Sequence, residues 1–358
     1  MEMLKNSHRD EVARTSEILV LNQTDVSSLF DNDSAFESQL TAFTAIGEGT
    51  VGGAGKVMLS HPGNNSVAFT YAARLSETFG TICKFGSVNP NNAERGLQTI
   101  SATILALDAE TGRLQAIMDG TVITTRRTAA ASALAVTVLA NPGATRLAIL
   151  GYGVQAREHI RMLQERSSVT EVRVWGRSES KREAFAAQMA AETGLEIFPT
   201  PTARDAVRDA DVIVLCTTAN TPLLKSEWIS QGATVISVGS ISADRCEVGQ
   251  DLIERAGRVV VDDARSAQTQ AGPIIEALRS GLITDSDLVG LGEIVVHRAA
   301  GRRSAEEVIY YNSTGIGMQD AAAAAVVIAK ARAGNVGYTI CLEQDPSLMQ
   351  PDDHMTAS

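Results

Sequence analysis

The sequence predicts an α/β protein with two parts, one of which is built on a parallel sheet. Over residues 146–262, apolar strand-like runs alternate with helix-like segments, which is typical of βαβ units. A glycine-rich turn directly follows the strand predicted at Arg146–Leu150. The first 120 residues are instead rich in strands with short local connections, an α+β pattern. The change of pattern between the two regions predicts two domains.

Length and composition are those of a globular protein. The 358 residues are enough for two domains, each with its own core. Apolar residues make up 44% of the chain and charged residues 20%, which excludes a disordered or fibrous protein. The net charge of -11 argues against nucleic acid or an anionic membrane as a partner.

Other features concern location and metals. No apolar run reaches the roughly 18 residues that span a bilayer, and the polar N-terminus has no signal-peptide core, so the cytoplasm is the predicted location. The cysteines have no C-x-x-C spacing and the five histidines form no ligand pair. We therefore expect thiols rather than disulfides, and no metal site.

The N-terminal region is predicted to hold one short helix and several strands. The helix begins near Asp25, and a hairpin turn lies at 110–112 because of its Glu-Thr-Gly sequence. Flexible tails are predicted at 1–15 and 346–358. The predicted strands are 17–22, 56–59, 66–71, 81–85, 102–108 and 114–118.

From residue 124 onwards the pattern becomes helical and then alternating. An alanine-rich helix is predicted at 124–139, capped by threonine and closed by Asn141-Pro-Gly143. The predicted strands that follow are 146–150, 171–175, 196–198, 211–216, 234–238, 258–262 and a strand from 307. The predicted helices are 155–165, 179–193, 203–210 and 318–332, and a last strand is predicted within 334–342.

The turn Gly151-Tyr-Gly153-Val-Gln-Ala156 has the spacing that a dinucleotide pyrophosphate requires. Gly151 permits a tight turn, Gly153 lets the backbone approach the phosphates, and Ala156 lets the helix pack closely on the strand. The N-terminus of that helix offers free amide donors to negative charge. The prediction is a Rossmann-type doubly wound sheet that binds a dinucleotide; a tight turn in another kind of α/β protein is the alternative.

The second βα turn bears on the choice of cofactor. NAD-binding folds usually end this strand in a carboxylate that accepts from the ribose 2′-OH. Here the strand at 171–175 is followed by Gly176, Arg177 and Ser178. A guanidinium and a hydroxyl suit a 2′-phosphate better, so the prediction favours NADP(H). NAD(H), with Arg177 a surface residue, is the alternative.

Three cations within apolar or small-residue segments indicate an anionic substrate. Arg127 is placed in the first turn of the alanine-rich helix, where its guanidinium can bind a carboxylate through two hydrogen bonds. Lys84 interrupts an apolar strand, where a shifted pKa would let it exchange a proton. Lys56 lies in a glycine-rich segment. For each lysine alone, an ordinary surface residue is the alternative.

Over residues 17–342 the chain resembles the ornithine cyclodeaminase/mu-crystallin family. The Arg-Thr-Ala-Ala-Ala-Ser run at 127–132, placed just ahead of the glycine turn, is the most specific match. The other matching pieces are Lys84 in its strand, Glu94–Thr99, Asp108–Gly112, Met118–Thr121, the turn at 151–156 and Asn312–Gly315.

The resemblance implies a fold and a set of site residues. The Rossmann domain, 126–315, is inserted into a discontinuous α+β domain, 16–125 plus 316–345, which binds substrate and forms a homodimer. Lys84, Arg127 and Thr314 contact the amino or imino acid, with Lys84 the catalytic residue and Lys56 a further ligand. The implied cofactor contacts are Thr99, Val154, Gln155, Thr217, Val238, Gly239 and Ser313. The predicted cofactor-binding set also includes Arg127, Gly151, Gly153, Arg177 and Ser178.

Two departures from the family pattern separate its branches. Cyclodeaminases carry an acid two positions after a Val-Gly pair, and here Ile241 stands two positions after Val238-Gly239. The segment 66–74, upstream of Lys84, also lacks the acid typical of diamine substrates. Both differences favour the imine-reducing branch. Lys56, near where relatives carry arginine, suggests a differently shaped carboxylate site.

The leading hypothesis is an NAD(P)-dependent oxidoreductase that acts on the C=N or C–N bond of a small amino or imino acid. Two catalytic alternatives are an ornithine or lysine cyclodeaminase that recycles NAD, and an opine-type dehydrogenase as in diaminopropionate biosynthesis. A non-catalytic nucleotide-binding protein of the crystallin type is an alternative from another class.

Overall fold

The chain folds around two separate β-sheets. The computed structural model describes residues 17–53, 55–60, 63 and 66–342. The predicted tails at 1–15 and 346–358 lie outside the described residues. No helix within the described residues is long and apolar enough to cross a membrane.

The first sheet is largely antiparallel, and its strands between residues 57 and 119 have the short local connections that the sequence predicts. Its one parallel pairing joins β1 to β7. Its strands are β1 (Glu17–Leu21), β2 (Gly52–Gly53), β3 (Val57–Ser60), β4 (Val67–Arg74), β5 (Ile82–Val88), β6 (Ile100–Leu107), β7 (Leu114–Asp119) and β16 (Tyr338–Cys341). From edge to edge the order is β16, β1, β7, β6, β5, β4 and β2, with β3 also paired to β4.

Helices cover one face of the first sheet. They are α1 (Gln23–Leu29), α2 (Asn32–Glu48), α3 (Gly120–Leu139) and the C-terminal α11 (Gly317–Gly334). All five alanines of α3 and five of the eight alanines of α11 are buried, and such small side chains let helices approach closely. The face of β5 that carries Lys84 therefore points into a core made by residues from both ends of the chain.

The second sheet is fully parallel. Its strands are β8 (Arg146–Leu150), β9 (Glu171–Trp175), β10 (Glu196–Pro199), β11 (Val212–Leu215), β12 (Thr234–Ser237), β13 (Arg258–Val261), β14 (Leu288–Gly290) and β15 (Ile309–Asn312). The order β10, β9, β8, β11, β12, β15, β13, β14 reverses direction between β8 and β11. This reversal is the topological switch point at which doubly wound sheets bind ligands, and the predicted Rossmann-type sheet is confirmed.

The helices of this part are α4 to α10 in chain order. They are α4 (Val154–Arg166), α5 (Glu179–Thr193), α6 (Ala203–Val207), α7 (Gln250–Arg255), α8 (Ala264–Gln270), α9 (Gly272–Arg279) and α10 (Leu291–Val295). The sequence patterns above predict α4, α5 and α6 but not the short helices between 250 and 295. None of these four exceeds eight residues, too few turns for a clear helical period.

Two helices differ from the predictions. The patterns miss α2 altogether, although Asp31 caps its first turn and Gly49 ends it in the left-handed conformation. The alanine-rich helix α3 begins at Gly120 rather than 124, because the Asp119 carboxylate accepts from the amide of Val122 at 2.8 Å. Arg127 is therefore two turns inside the helix and not in its first turn, and the predicted domain boundary at 125/126 falls within α3.

Candidate active site

The glycine turn after β8 has the geometry that a pyrophosphate needs. Gly151 adopts a φ of +124°, and a Cβ atom there would lie 2.5 Å from the carbonyl oxygen of Cys216. Gly153 begins α4 without a side-chain cap, and no atom lies within 4 Å of the position of its Cβ. The first amides of α4 are thus left for an anion, next to the exposed Val154 and partly buried Gln155. These residues fit a dinucleotide.

At the end of β9, an aromatic ring occupies the place where a carboxylate would stand. A Cβ on Gly176 would lie 2.2 Å from the ring of Tyr152. Arg177 is exposed, and the Ser178 hydroxyl caps α5. The buried Arg182 donates from Nη1 to the carbonyl of Gly176 at 3.1 Å. This corner has cationic and hydroxyl groups and no room for an acidic side chain at 176.

A buried carboxylate joins the carboxyl ends of β11 and β12. Glu247 accepts from the amide and hydroxyl of Thr217, the hydroxyl of Ser237 and the amide of Gly239, each at 2.7 Å. Burial raises its pKa to about 7, although all four hydrogen bonds lower it. Thr217 and Gly239 therefore lie at the carboxyl ends of neighbouring strands with their amides already paired. The buried Val238 donates from its amide to the carbonyl of Leu215 at 2.9 Å.

A second buried carboxylate, Asp262, organises the loop that follows β15. It accepts from the amide of Gly315 at 2.7 Å and from the hydroxyl of Tyr311. Burial raises its pKa, and these hydrogen bonds oppose the rise. The amide of Ser313 donates to the carbonyl of Ser237 at 2.9 Å, so this loop lies at the same sheet edge as the glycine turn.

The loop after β15 also contacts the predicted substrate-binding arginine. Gly315 has a φ of +75°, and a Cβ there would lie 2.9 Å and 3.0 Å from the two terminal nitrogens of Arg127. The neighbouring Thr314 is buried, and its hydroxyl has no hydrogen-bond partner among the described residues. A buried hydroxyl without a partner is costly. This hydroxyl, one residue before the Gly315 that lies against Arg127, is therefore suited to contact a polar ligand.

The predicted cations meet around one acid, Asp320 of α11. Lys84 donates from Nζ to Oδ1 of Asp320 at 2.8 Å and to the hydroxyl of Thr124 at 2.5 Å. Arg127 donates from Nε to the same Oδ1 at 3.4 Å. The Tyr71 hydroxyl donates to Oδ2 at 2.5 Å. All of these side chains except that of Thr124 are buried, and Lys84 is 1% exposed.

The third cation, Lys56, joins the cluster through Tyr71. The Nζ atoms of Lys56 and Lys84 lie 5.9 Å and 5.7 Å from the centre of the Tyr71 ring, within the range of cation–π attraction. Three cations thus surround a single directly bonded carboxylate, that of Asp320. The cluster has the positive charge that a substrate carboxylate requires.

The surroundings shift the pKa values of these groups. Burial lowers the pKa of Lys84 to about 8 even though Asp320 acts to raise it, and burial together with Arg127 and Lys84 lowers that of Lys56 to about 8. Burial favours a neutral Asp320, but the charges of Lys84 and Arg127 outweigh it and lower the pKa. Burial, reinforced by Asp320, raises the pKa of Tyr71 well above its ordinary value. Near neutral pH, both lysines lie within reach of proton exchange.

The predicted site residues fall into groups. Lys56, Lys84 and Arg127 share one cluster, and Arg127 also meets the loop that holds Ser313 and Thr314. Thr99 stands apart: its carbonyl accepts from the amide of Asn89 at 2.8 Å just before β6. The remaining predicted residues lie after four strands of the second sheet: after β8 (Gly151, Gly153, Val154, Gln155), after β9 (Arg177, Ser178), after β11 (Thr217) and after β12 (Val238, Gly239).

Sequence reasoning missed four residues that the structure places in the site: Tyr71, Glu247, Asp262 and Asp320. One signal was available for Asp320. Buried cations require counter-charges, and Asp320 is the only charged residue between Gly317 and Ala329 in an otherwise apolar helix. The other three occur in ordinary contexts, and their roles depend on contacts far along the chain.

Comparison with known proteins identifies the family. The family model described as the ornithine cyclodeaminase/mu-crystallin family matches residues 16–335, and the chain belongs to this family. It is 30% identical to alanine dehydrogenase of Archaeoglobus fulgidus over 90% of this chain and 98% of that protein. It is 33% identical to ketimine reductase mu-crystallin of Rattus norvegicus over 75% of this chain and 80% of that protein.

A solved structure extends the comparison to a ligand-bound relative. The Δ1-pyrroline-2-carboxylate reductase of Thermococcus litoralis, in complex with NADH and L-proline, superposes with a TM-score of 0.86 at 29% identity. The match covers 90% of this chain and all of that one. The predicted class is thereby confirmed: the chain is an NAD(P)-dependent oxidoreductase of amino or imino acids.

Proposed function

We propose that the protein reduces the C=N bond of a small imino acid, with the substrate carboxylate bound by Arg127 and Lys84. The observation that carries the proposal is the cluster around Asp320, in which two buried cations share one carboxylate. Arg127 also lies against Gly315, at the carboxyl edge of the parallel sheet. The proposed anion-binding cations would then lie beside the edge where a dinucleotide binds in such folds.

The side chains have separable roles in this proposal. Arg127, buried and held by Asp320 and by Gln319 Oε1 at 3.3 Å, presents its terminal nitrogens in a fixed direction. Lys84 uses two of its three N–H donors on Thr124 and Asp320, which leaves a third for the substrate. Because its pKa lies near 8, Lys84 can also deliver a proton to the substrate nitrogen.

The turn at 151–155 would hold the pyrophosphate, and the loop after β15 would lie against the nicotinamide half. When bound, the nicotinamide supplies the hydride. The protein's contribution is to orient the substrate and to keep its surroundings dry, since Lys84, Arg127 and Asp320 are all buried.

The cofactor of choice in this proposal is NADP(H). Tyr152 fills the space where a carboxylate at 176 would stand, so the usual partner of a ribose 2′-OH has no place. The exposed Arg177 and the first turn of α5, which Ser178 caps, are suited to a 2′-phosphate.

We further propose a homodimer formed through the uncovered face of the first sheet. By the strand register, Val57, Leu59, Phe85 and Tyr338 project from the same face, and each is more than half exposed. Large exposed apolar side chains on one face mark an interaction surface. Light scattering should give a mass about twice that of one chain. The Phe85→Glu substitution should shift the measured mass towards that of a single chain. A monomeric wild-type protein would contradict this.

The cytoplasmic location stays a prediction.

The activity is tested by following NADPH and NADH oxidation at 340 nm with 1-pyrroline-2-carboxylate, with its six-membered ring homologue, and with pyruvate plus ammonia. We expect turnover with at least one imine and none for Arg127→Met. Ammonia release from ornithine or lysine without net change in absorbance would instead identify a cyclodeaminase. Cofactor binding without turnover of any substrate would support the non-catalytic alternative.

A further inference from the structure

Asp320 connects three elements of the site that are distant in sequence. Its side chain is fully buried in the first turn of α11. One oxygen accepts from Lys84 on β5 and Arg127 on α3, and the other accepts from Tyr71 on β4. A single carboxylate therefore fixes both cations that the substrate requires.

We propose that Asp320 is a positioning residue for imine reduction, an inference that rests on the proposed function. It holds Lys84 and Arg127 so that their remaining donors face the substrate carboxylate, and its negative charge keeps Lys84 in the ammonium form. Loss of that charge turns the Lys84 ammonium into a neutral amine under working conditions.

The electrostatic argument depends on the balance at Lys84. Burial disfavours the ammonium, and the nearby positive charge of Arg127 acts in the same direction. Asp320, at 2.8 Å, is the largest influence that favours the ammonium, and Asp119 adds to it. Removing the Asp320 charge would leave Asp119 alone against burial and Arg127, so the pKa of Lys84 would fall below about 8. The charged or titratable groups around Lys84 are Asp320 on α11, Arg127 on α3, Asp119 at the end of β7, Tyr71 on β4 and Lys56 ahead of β3.

Asp320 itself is held in its charged form. The Tyr71 hydroxyl, whose pKa is raised well above its ordinary value, stays protonated and donates to Oδ2. The position of Asp320 in the first turn of α11 also favours a negative charge on its carboxylate. The carboxylate therefore remains an anion while Lys84 titrates, and the charge of Lys84 follows from the contact with Asp320.

A direct test measures the titration of Lys84 without any substrate. The chain has only six lysines, so in protein labelled with ¹³C-lysine the Cε signals can be followed individually by NMR. Lys84→Arg identifies the Lys84 signal by its loss. We expect the Lys84 signal to titrate with a midpoint near pH 8 in the wild type. The midpoint should be at least one pH unit lower in Asp320→Asn and close to the wild-type value in Asp320→Glu.

Kinetics provide the second measurement. The alkaline limb of kcat/KM should follow the same midpoints, because a neutral Lys84 can neither bind the substrate carboxylate nor deliver a proton to the substrate nitrogen. An unchanged Lys84 midpoint in Asp320→Asn, with activity lowered equally at all pH values, would show a structural role only and overturn the proposal. Absence of turnover in the wild type would contradict the proposed function alone, since the NMR titration does not depend on it.

Removal of one partner from a buried ion pair is strongly destabilising, so folding of Asp320→Asn is checked by circular dichroism. If that variant is unfolded, Tyr71→Phe supplies the test. Loss of the hydroxyl that donates to Oδ2 strengthens the acceptor for Lys84. The Lys84 midpoint should then move upwards by a few tenths of a pH unit, and no movement would overturn the proposal.

Discussion

Gly315→Ala tests whether the loop after β15 sets the position of Arg127. Gly315 has a φ of +75°, and a methyl group there would lie 2.9 Å and 3.0 Å from the two terminal nitrogens of Arg127. Contacts this short cannot be kept, so the guanidinium must move. Its hydrogen bonds to Asp320 and Gln319, at 3.4 Å and 3.3 Å, are already long and would be lost first.

The magnitude follows from two contributions. The left-handed conformation costs a residue with a side chain about 1–2 kcal/mol. A hydrogen bond to a charged group contributes about 1.5–3 kcal/mol, and 1.4 kcal/mol corresponds to a factor of about ten in affinity. We therefore expect Gly315→Ala to lower the free energy of unfolding by about 3 kcal/mol and to raise the KM for the imino acid at least tenfold.

Gly143→Ala is the matched control. Gly143 has a φ of +79°, nearly the same as that of Gly315, but no atom lies within 4 Å of its Cβ position. It should lose only the conformational part of the stability, measured by urea denaturation, and keep the wild-type KM. Equal stability losses in the two variants, with an unchanged KM in Gly315→Ala, would show that the loop after β15 does not set the position of Arg127.

Three further predictions concern the nucleotide side. Gly151→Ala should abolish dinucleotide binding in a fluorescence titration, because its Cβ would lie 2.5 Å from the Cys216 carbonyl oxygen at a φ of +124°; retained affinity would contradict this. Arg177→Ala should weaken NADPH binding about tenfold, because one charge-assisted hydrogen bond is lost, and should weaken NADH binding less than twofold. Equal losses of affinity for the two cofactors would exclude a contact between Arg177 and the 2′-phosphate. Burial raises the pKa of Glu247 from 4.5 to about 7, so the folded state holds more protons between these values. This residue's contribution to stability should fall as pH rises from 4.5 to 7, and a Glu247→Gln variant that keeps the same pH dependence would contradict the assignment.

The sequence predicted the layout of the fold well where the signals are local. The strands of the second sheet, the glycine turn and the hairpin closed by Gly112 depend on apolar runs and turn residues that are adjacent in the chain. Helix α2 has caps at Asp31 and Gly49 but no clear apolar period, because Ser34, Ser38, Gln39 and Gly47 occupy much of its buried face. The start of α3 was misplaced because the aspartate that caps it also ends a strand.

The site was predictable in its cations and not in its acids. Lys84 and Arg127 stand out because charges are rare in apolar segments. Asp320 lies 236 residues from Lys84, and nothing local in Gln-Asp-Ala-Ala-Ala indicates which cations it meets. Glu247 likewise gains its role from Thr217 and Gly239, which the topology of the parallel sheet brings to the same edge.

The most direct test of the central claim is to follow a label from cofactor to product. NADPH deuterated at C4, prepared separately as each of its two stereoisomers, is incubated with the enzyme and the imino acid that it turns over. Direct hydride transfer to the C=N bond predicts that one stereoisomer places a single deuterium on the α-carbon of the amino acid product, as read by mass spectrometry and NMR. A product without deuterium from either stereoisomer would contradict direct reduction of the C=N bond.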